Sequence, residues 1–161
     1  MSDLWSVCRD GDLTGLEVML ARGEDCNAKN YAGDTPLMSA MVYNHSPIVR
    51  RLMSIPSLRL DISDIAGRTA LHHACYSNSP SVIPLYGRDS RCTPELLNKK
   101  DDHGRTPLME AVYRGKLACV KEMVELPGVD LETTDREGDS LVEVARDRDK
   151  RGVLQFLLNL T

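Results

Sequence analysis

Four glycines, Gly33, Gly67, Gly104 and Gly138, recur in one phase, and that phase restricts the fold more than any other feature of the 161 residues. Successive glycines stand 34, 37 and 34 residues apart. Three residues before each is Asn30, Asp64, Asp101 or Asp135, and two residues after each is Thr35, Thr69, Thr106 or Ser140. Self-similarity at this period marks a stack of small supersecondary units, because one unit alone cannot cover its own apolar face.

The chemistry of one unit follows from its residues. Asp and Asn side chains bond nearby backbone amides, and Gly adopts positive φ at little cost, so each block opens with a tight hairpin-like turn. The Thr or Ser hydroxyl then fits an N-cap, accepting from free amides of the first helical turn. Pro36 and Pro107 fall at the first helical position, where a missing N–H costs nothing. A first helix should run to about Tyr43, Tyr76 or Tyr113. After a polar break, a second helix should bury sets such as Ile48-Val49 with Leu52-Met53, Val120 with Met123-Val124, and Val153-Leu154 with Leu157-Leu158.

The segments Ala32-Gly-Asp-Thr-Pro-Leu-Met-Ser-Ala40, Ala66-Gly-Arg-Thr-Ala-Leu-His-His-Ala74, His103-Gly-Arg-Thr-Pro-Leu-Met-Glu-Ala111 and Glu137-Gly-Asp-Ser-Leu-Val-Glu-Val-Ala145 resemble the ankyrin repeat and its Thr-Pro-Leu-His-x-Ala signature. The resemblance covers nearly the whole chain. It implies one all-α domain over residues 1–161, a solenoid of stacked helix-turn-helix units joined by hairpin-like turns. The expected units are 1–29 as an N-terminal cap, 30–63, 64–100 with an inserted loop, 101–134, and 135–161 as a C-terminal cap. In that family the signature His braces neighbouring turns. Met38, Met109 and Glu143 replace it here, and only His72 keeps it, so the other units should rely on packing. The third unit departs furthest. Pro84 falls where the middle of its second helix is expected, so that helix should start late or kink. Residues 87–92 should loop out, and Thr93-Pro94-Glu95-Leu96-Leu97 should form a brief helical turn.

Composition narrows the function. The net charge of −4 argues against a nucleic-acid surface. Five cysteines without Cys-x-x-Cys spacing form neither a disulfide framework nor a zinc ribbon, and fit reduced thiols in the cytoplasm or nucleus. No stretch approaches a membrane span, and the N-terminus reads as no secretory signal. No HExxH, phosphate-binding loop or nucleophile elbow occurs, so no cofactor, metal or catalytic site is expected. A catalytic alternative would have to use His103, Cys8 or Cys75. The apolar end Phe156–Thr161 favours further repeats or a place within a longer protein.

The resemblance implies protein binding on the concave side, through hairpin tips and first-helix ends. Those positions hold Tyr31, Asp34, Tyr43, Arg68, Tyr76, Asp102, His103, Arg105, Tyr113, Arg114, Arg136, Asp139 and Arg148, which are the expected contact residues. Four of the five tyrosines fall there and none of the lysines does. Tyr and Arg are enriched in interfaces, whereas Lys is depleted. The expected partner is another protein or peptide, bound by a monomer. A small inhibitor resembling the ankyrin-type cyclin-dependent-kinase inhibitors is the alternative within the same class.

Overall fold

A computed structural model describes residues 3–160. Met1, Ser2 and Thr161, placed by the sequence reading in the terminal units, lie outside the described residues. Among the described residues, eleven α-helices and one 3-10 turn follow one another in sequence. They are α1 (Leu4–Asp10), α2 (Leu13–Ala21), α3 (Pro36–Val42), α4 (Ser46–Met53), α5 (Ala70–Ser77), the 3-10 turn (Pro80–Val82), α6 (Ile83–Gly87), α7 (Pro94–Leu97), α8 (Pro107–Arg114), α9 (Leu117–Val124), α10 (Leu141–Asp147) and α11 (Arg151–Leu158). An inner row, α1, α3, α5, α8 and α10, packs in sequence order, and an outer row, α2, α4, α6, α9 and α11, packs behind it.

Local chemistry sets each start. The hydroxyls of Thr35, Thr106 and Ser140 accept from the amides of Met38, Met109 and Glu143. Such caps are worth about 1 kcal/mol each. In the first hairpin, Asn30 Oδ1 accepts from the amides of Ala32 and Asp34, and Gly33 closes the turn at φ 79°. A Cβ there would meet the Ile65 amide nitrogen at 2.9 Å, so this turn needs glycine for space as well as for φ. Tip joins tip: Ile65 N–H donates to the Ala32 carbonyl at 3.1 Å, and Asp102 N–H to the Ala66 carbonyl at 3.0 Å.

The core is aliphatic. Leu37, Met38, Ile48, Leu52, Leu71, Ile83, Leu108, Met109, Val120 and Met123 are buried between the rows, with Tyr86 as the one large ring among them. Behind the hairpins, asparagines tie neighbouring loops. Asn27 donates to the Ser57 carbonyl and accepts from Arg59 N–H; Asn98 repeats this with Gly128 and Asp130. Lys29 and Lys100 likewise reach the carbonyls of Ser63 and Thr134.

Asp61 stands at the position equivalent to Asn27 and Asn98, so that junction lacks the asparagine tie. Its replacement comes from the irregular segment. The 3-10 turn absorbs Pro80, and α6 starts late enough that Pro84 sits in its first turn, as its chemistry demands. Residues 87–92 do not loop out into solvent. The Arg91 guanidinium turns inward and donates to the carbonyls of Met53 (2.7 Å), Ile55 (3.0 Å) and Leu58 (3.3 Å), while Asp89 holds it from the side. A cation on these carbonyls also suits the negative end of α4. The buried Tyr86 hydroxyl adds a bond to the Leu60 carbonyl at 2.7 Å. Thr93 caps α7, whose Leu96 and Leu97 close the segment.

Candidate functional site

Helix capping fixes which residues reach the inner surface. The seventh and eighth residues after each cap end the first helix, and they are Val42-Tyr43, Tyr76-Ser77, Tyr113-Arg114 and Asp147-Arg148. In the C-terminal half these positions interlock across units. The guanidinium carbon of Arg114 lies 4.0 Å from the ring centre of Tyr76. Those of Arg148 and Arg105 lie 4.0 Å and 3.9 Å from that of Tyr113. Cations on aromatic faces at such distances are attracted by the ring quadrupole, by about 0.5–2 kcal/mol.

Beneath this row lies Glu110, only 4% exposed. Its two carboxylate oxygens accept from Arg105 Nη1 at 2.9 Å and Arg114 Nε at 2.7 Å. Burial pushes the Glu110 carboxyl upward, but the bonds and charges of the two arginines outweigh it and hold the group below the usual glutamate value. Tyr76, Arg114, Glu110, Arg105, Tyr113 and Arg148 thus form one connected row spanning three units. Glu110 was not singled out in the sequence. Its i,i+4 spacing to Arg114, with Arg105 five residues earlier, was the signal available.

The remaining expected residues fall outside that row. Arg105, Tyr113 and Arg148 also line a hollow of about 380 Å³ with His103, Asp139 and Asp147. Partial burial and its acidic neighbours push the Asp139 carboxyl above the usual aspartate value. Arg136 donates across the junction to the Asp102 carbonyl. His103 is largely exposed at a tip. Arg68 is spent on Asp64, at 2.8 Å. Tyr31 projects from the first tip at 107% exposure, and Tyr43, 54% exposed, has the His45 ring stacked near it.

His73 is a second feature of this face. It is buried, with Nε2 3.0 Å from Asp64 Oδ2 and 3.6 Å from Asp34 Oδ1. These three residues could hold a metal ion, since their ligand atoms lie within 4.8 Å of one another. The Arg68 cation already occupies Asp64, and two backbone amides also donate to it. The charge a metal would need is therefore largely taken. Desolvation, reinforced by Arg68, holds the His73 imidazole toward its neutral form.

The thiols are equally committed. Cys8 is buried and its pKa is pushed up to about 12 by desolvation; the thiol of Cys75, fully buried, is likewise raised by desolvation. Neither supplies a thiolate at neutral pH. No helix among the described residues is long and apolar enough to cross a membrane.

Stacked helix pairs, hairpins tied tip to tip and an exposed inner face define a solenoid that presents a binding surface. The family profile described as "Ankyrin repeats (3 copies)" matches residues 4–90, and that described as "Ankyrin repeats (many copies)" matches residues 90–145. The chain belongs to the ankyrin-repeat family, whose repeats mediate protein–protein binding. It is 29% identical over 138 residues to the E3 ubiquitin-protein ligase XBAT33 of Arabidopsis thaliana, a match covering 71% of this chain and 26% of the relative. It is 31% identical over 132 residues to the human B-cell lymphoma 3 protein, covering 78% and 28%. The tyrosine-protein kinase HTK16 of Hydra vulgaris matches at 27% over 136 residues, covering 84% and 17%. The chain spans less than a third of the length of each of these relatives.

Proposed function

We propose that this chain is a non-catalytic interaction module that takes a partner protein or peptide along its hairpin tips and inner helix ends. The observation that carries this reading is the row from Tyr76 to Arg148, in which the buried Glu110 carboxylate holds Arg105 and Arg114 over the rings of Tyr113 and Tyr76. A stable core has no need to display such groups, whereas interfaces are anchored by them. The contact set comprises Tyr31, Asp34, Tyr43, Arg68, Tyr76, Asp102, His103, Arg105, Tyr113, Arg114, Arg136, Asp139 and Arg148. Tyr43, Tyr76, Tyr113 and Arg114 are its anchors. A catalytic role for Cys8 or Cys75 is disfavoured by their buried, protonated thiols, and free cysteines fit the cytoplasm or nucleus.

The test begins with a partner recovered by cross-linking to this protein and then purified. Its affinity for this chain is measured by calorimetry. Paired alanines chosen among Tyr43, Tyr76, Tyr113 and Arg114 should weaken it by more than ~2 kcal/mol with helicity unchanged. A partner that binds such variants with wild-type affinity refutes the assignment of this face.

A further inference from the structure

We propose that the N-terminal half of the inner face holds a pocket for an arginine side chain of the partner, seated between the Tyr43 ring and the Asp34 carboxylate. This rests on the reading of the inner face as the docking surface, and names the chemistry of one of its subsites. A hollow of about 360 Å³ opens between α1 and α3, walled by Trp5, Met38, Val42 and Tyr43 with Asp34 at its edge. Two aromatic rings and two apolar side chains share its lining with polar groups and the Asp34 carboxylate, a mix that suits a cation.

Asp34 is under-partnered. Its Oδ1 is buried without a hydrogen bond, 3.6 Å from His73 Nε2, whose bond goes to Asp64 instead. Its Oδ2 has one long contact, 3.4 Å from Asn30 Nδ2. The carboxylate side chain is still 27% exposed, so a donor can approach it. A carboxylate with this little compensation gains from a charged donor.

Tyr43 is the counterpart to that carboxylate. Tyr76 and Tyr113 each carry arginine from this same chain at about 4 Å, whereas among the described residues no cation lies over Tyr43. Tyr43 stands one position later in its helix than Tyr76 and Tyr113 do in theirs, at the place that Arg114 and Arg148 hold, so it is not a member of the arginine-covered row. The other cation lining the hollow, Arg9, is bound to Asp10 at 2.8 Å. The hollow therefore brings together an exposed ring that carries no cation among the described residues and a partly exposed, under-partnered carboxylate. Arginine fits better than lysine, because its planar fork can stack on the ring while its edge bonds the carboxylate.

The experiment titrates the isotope-labelled chain with N-acetyl-arginine N-methylamide, with the lysine analogue, and with the citrulline analogue as an uncharged isostere. The reporter is the indole N–H of Trp5, the one tryptophan, which donates to the Asp34 carbonyl at 2.8 Å. The expected result is a saturable shift of that resonance and of the backbone amides of Asp34 and Tyr43. Arginine amide should bind more tightly than lysine amide, and the citrulline analogue should give no saturation. Asp34→Asn and Tyr43→Leu should each weaken the arginine response about tenfold. Tyr43 is exposed, so its variant decides the matter even if Asp34→Asn unfolds the hairpin. No saturable shift at Trp5, equal binding of the citrulline analogue, or an unchanged response in Tyr43→Leu overturns the proposal. If the arginine amide fails while Tyr76 and Arg114 variants still lose the partner, this pocket falls and the docking face stands. If the amide binds but the partner ignores those variants, the docking face falls instead.

Discussion

His72 shows what one side chain does in this stack. Its Nδ1 accepts from the backbone N–H of Thr69 at 3.1 Å and lies 3.0 Å from the Thr69 hydroxyl, so the opposite nitrogen carries the proton and donates to the Arg105 carbonyl in the next unit at 2.9 Å. Met38 and Met109 at the equivalent positions are buried but reach no carbonyl across the junction, while Glu143 accepts from the Ser140 amide and hydroxyl. Desolvation, the largest influence, holds the His72 imidazole below its usual value of 6.5 despite the Arg105 carbonyl. Its neutral form therefore contributes stability that is complete above pH 6.5 and is lost as pH falls below it. His72→Met should cost about 1 kcal/mol at pH 7.5 through the lost bond. It should also flatten the fall in melting temperature between about pH 7.5 and 5.5, leaving the share due to His73. Melting curves at both pH values test this, and an unchanged pH slope contradicts it. The bracing role of His72 was legible from the repeat resemblance. The approach of His73 to Asp34 was not, because that carboxylate sits on the preceding hairpin, whose position only the folded chain defines, whereas the Glu110–Arg114 pair had its i,i+4 spacing as a signal.

The irregular stretch from the 3-10 turn to α7 is where sequence reading went furthest and then failed. Pro84 forced a late helix start and Thr93-Pro94 forced a short helix, and both follow from backbone chemistry within a few residues. The fate of residues 87–92 did not follow, since the acceptors of Arg91 are carbonyls more than thirty positions earlier. Arg91→Ala should lower stability by about 1.5–3 kcal/mol, the range for hydrogen bonds to a charged group. Arg88→Ala, on the exposed side of the same turn, should change it by less than about 0.5 kcal/mol. Urea unfolding of the two variants decides between a built-in brace and a tolerated surface insertion. Equal midpoints would favour the latter.

Among the described residues the main helix contacts run within a unit or between neighbouring units, so the interior units pack against a neighbour on both sides. Six residues of α5 and six of α8 are buried, against Leu16 alone in α2 and Val153 with Leu157 in α11. Native-state hydrogen exchange should therefore show the slowest amides in α5 and α8, with α2 and α11 opening at lower free energy. Uniform protection along the chain would mean that the units unfold as one block. The architecture itself was legible from four phased glycines, because periodicity survives the local departures. Which surface residues join into one row was not, since it depends on the rotation between units. That row bears on the thermodynamics of recognition. Arginine ordinarily surrenders much rotamer freedom when it docks, at about 0.5–1.5 kcal/mol per immobilised side chain. Arg105 and Arg114 are already clamped by Glu110 and laid on tyrosine rings, so most of that entropy is lost during folding and not at the encounter. Such a surface selects partners that match its fixed shape and offers little accommodation to those that do not.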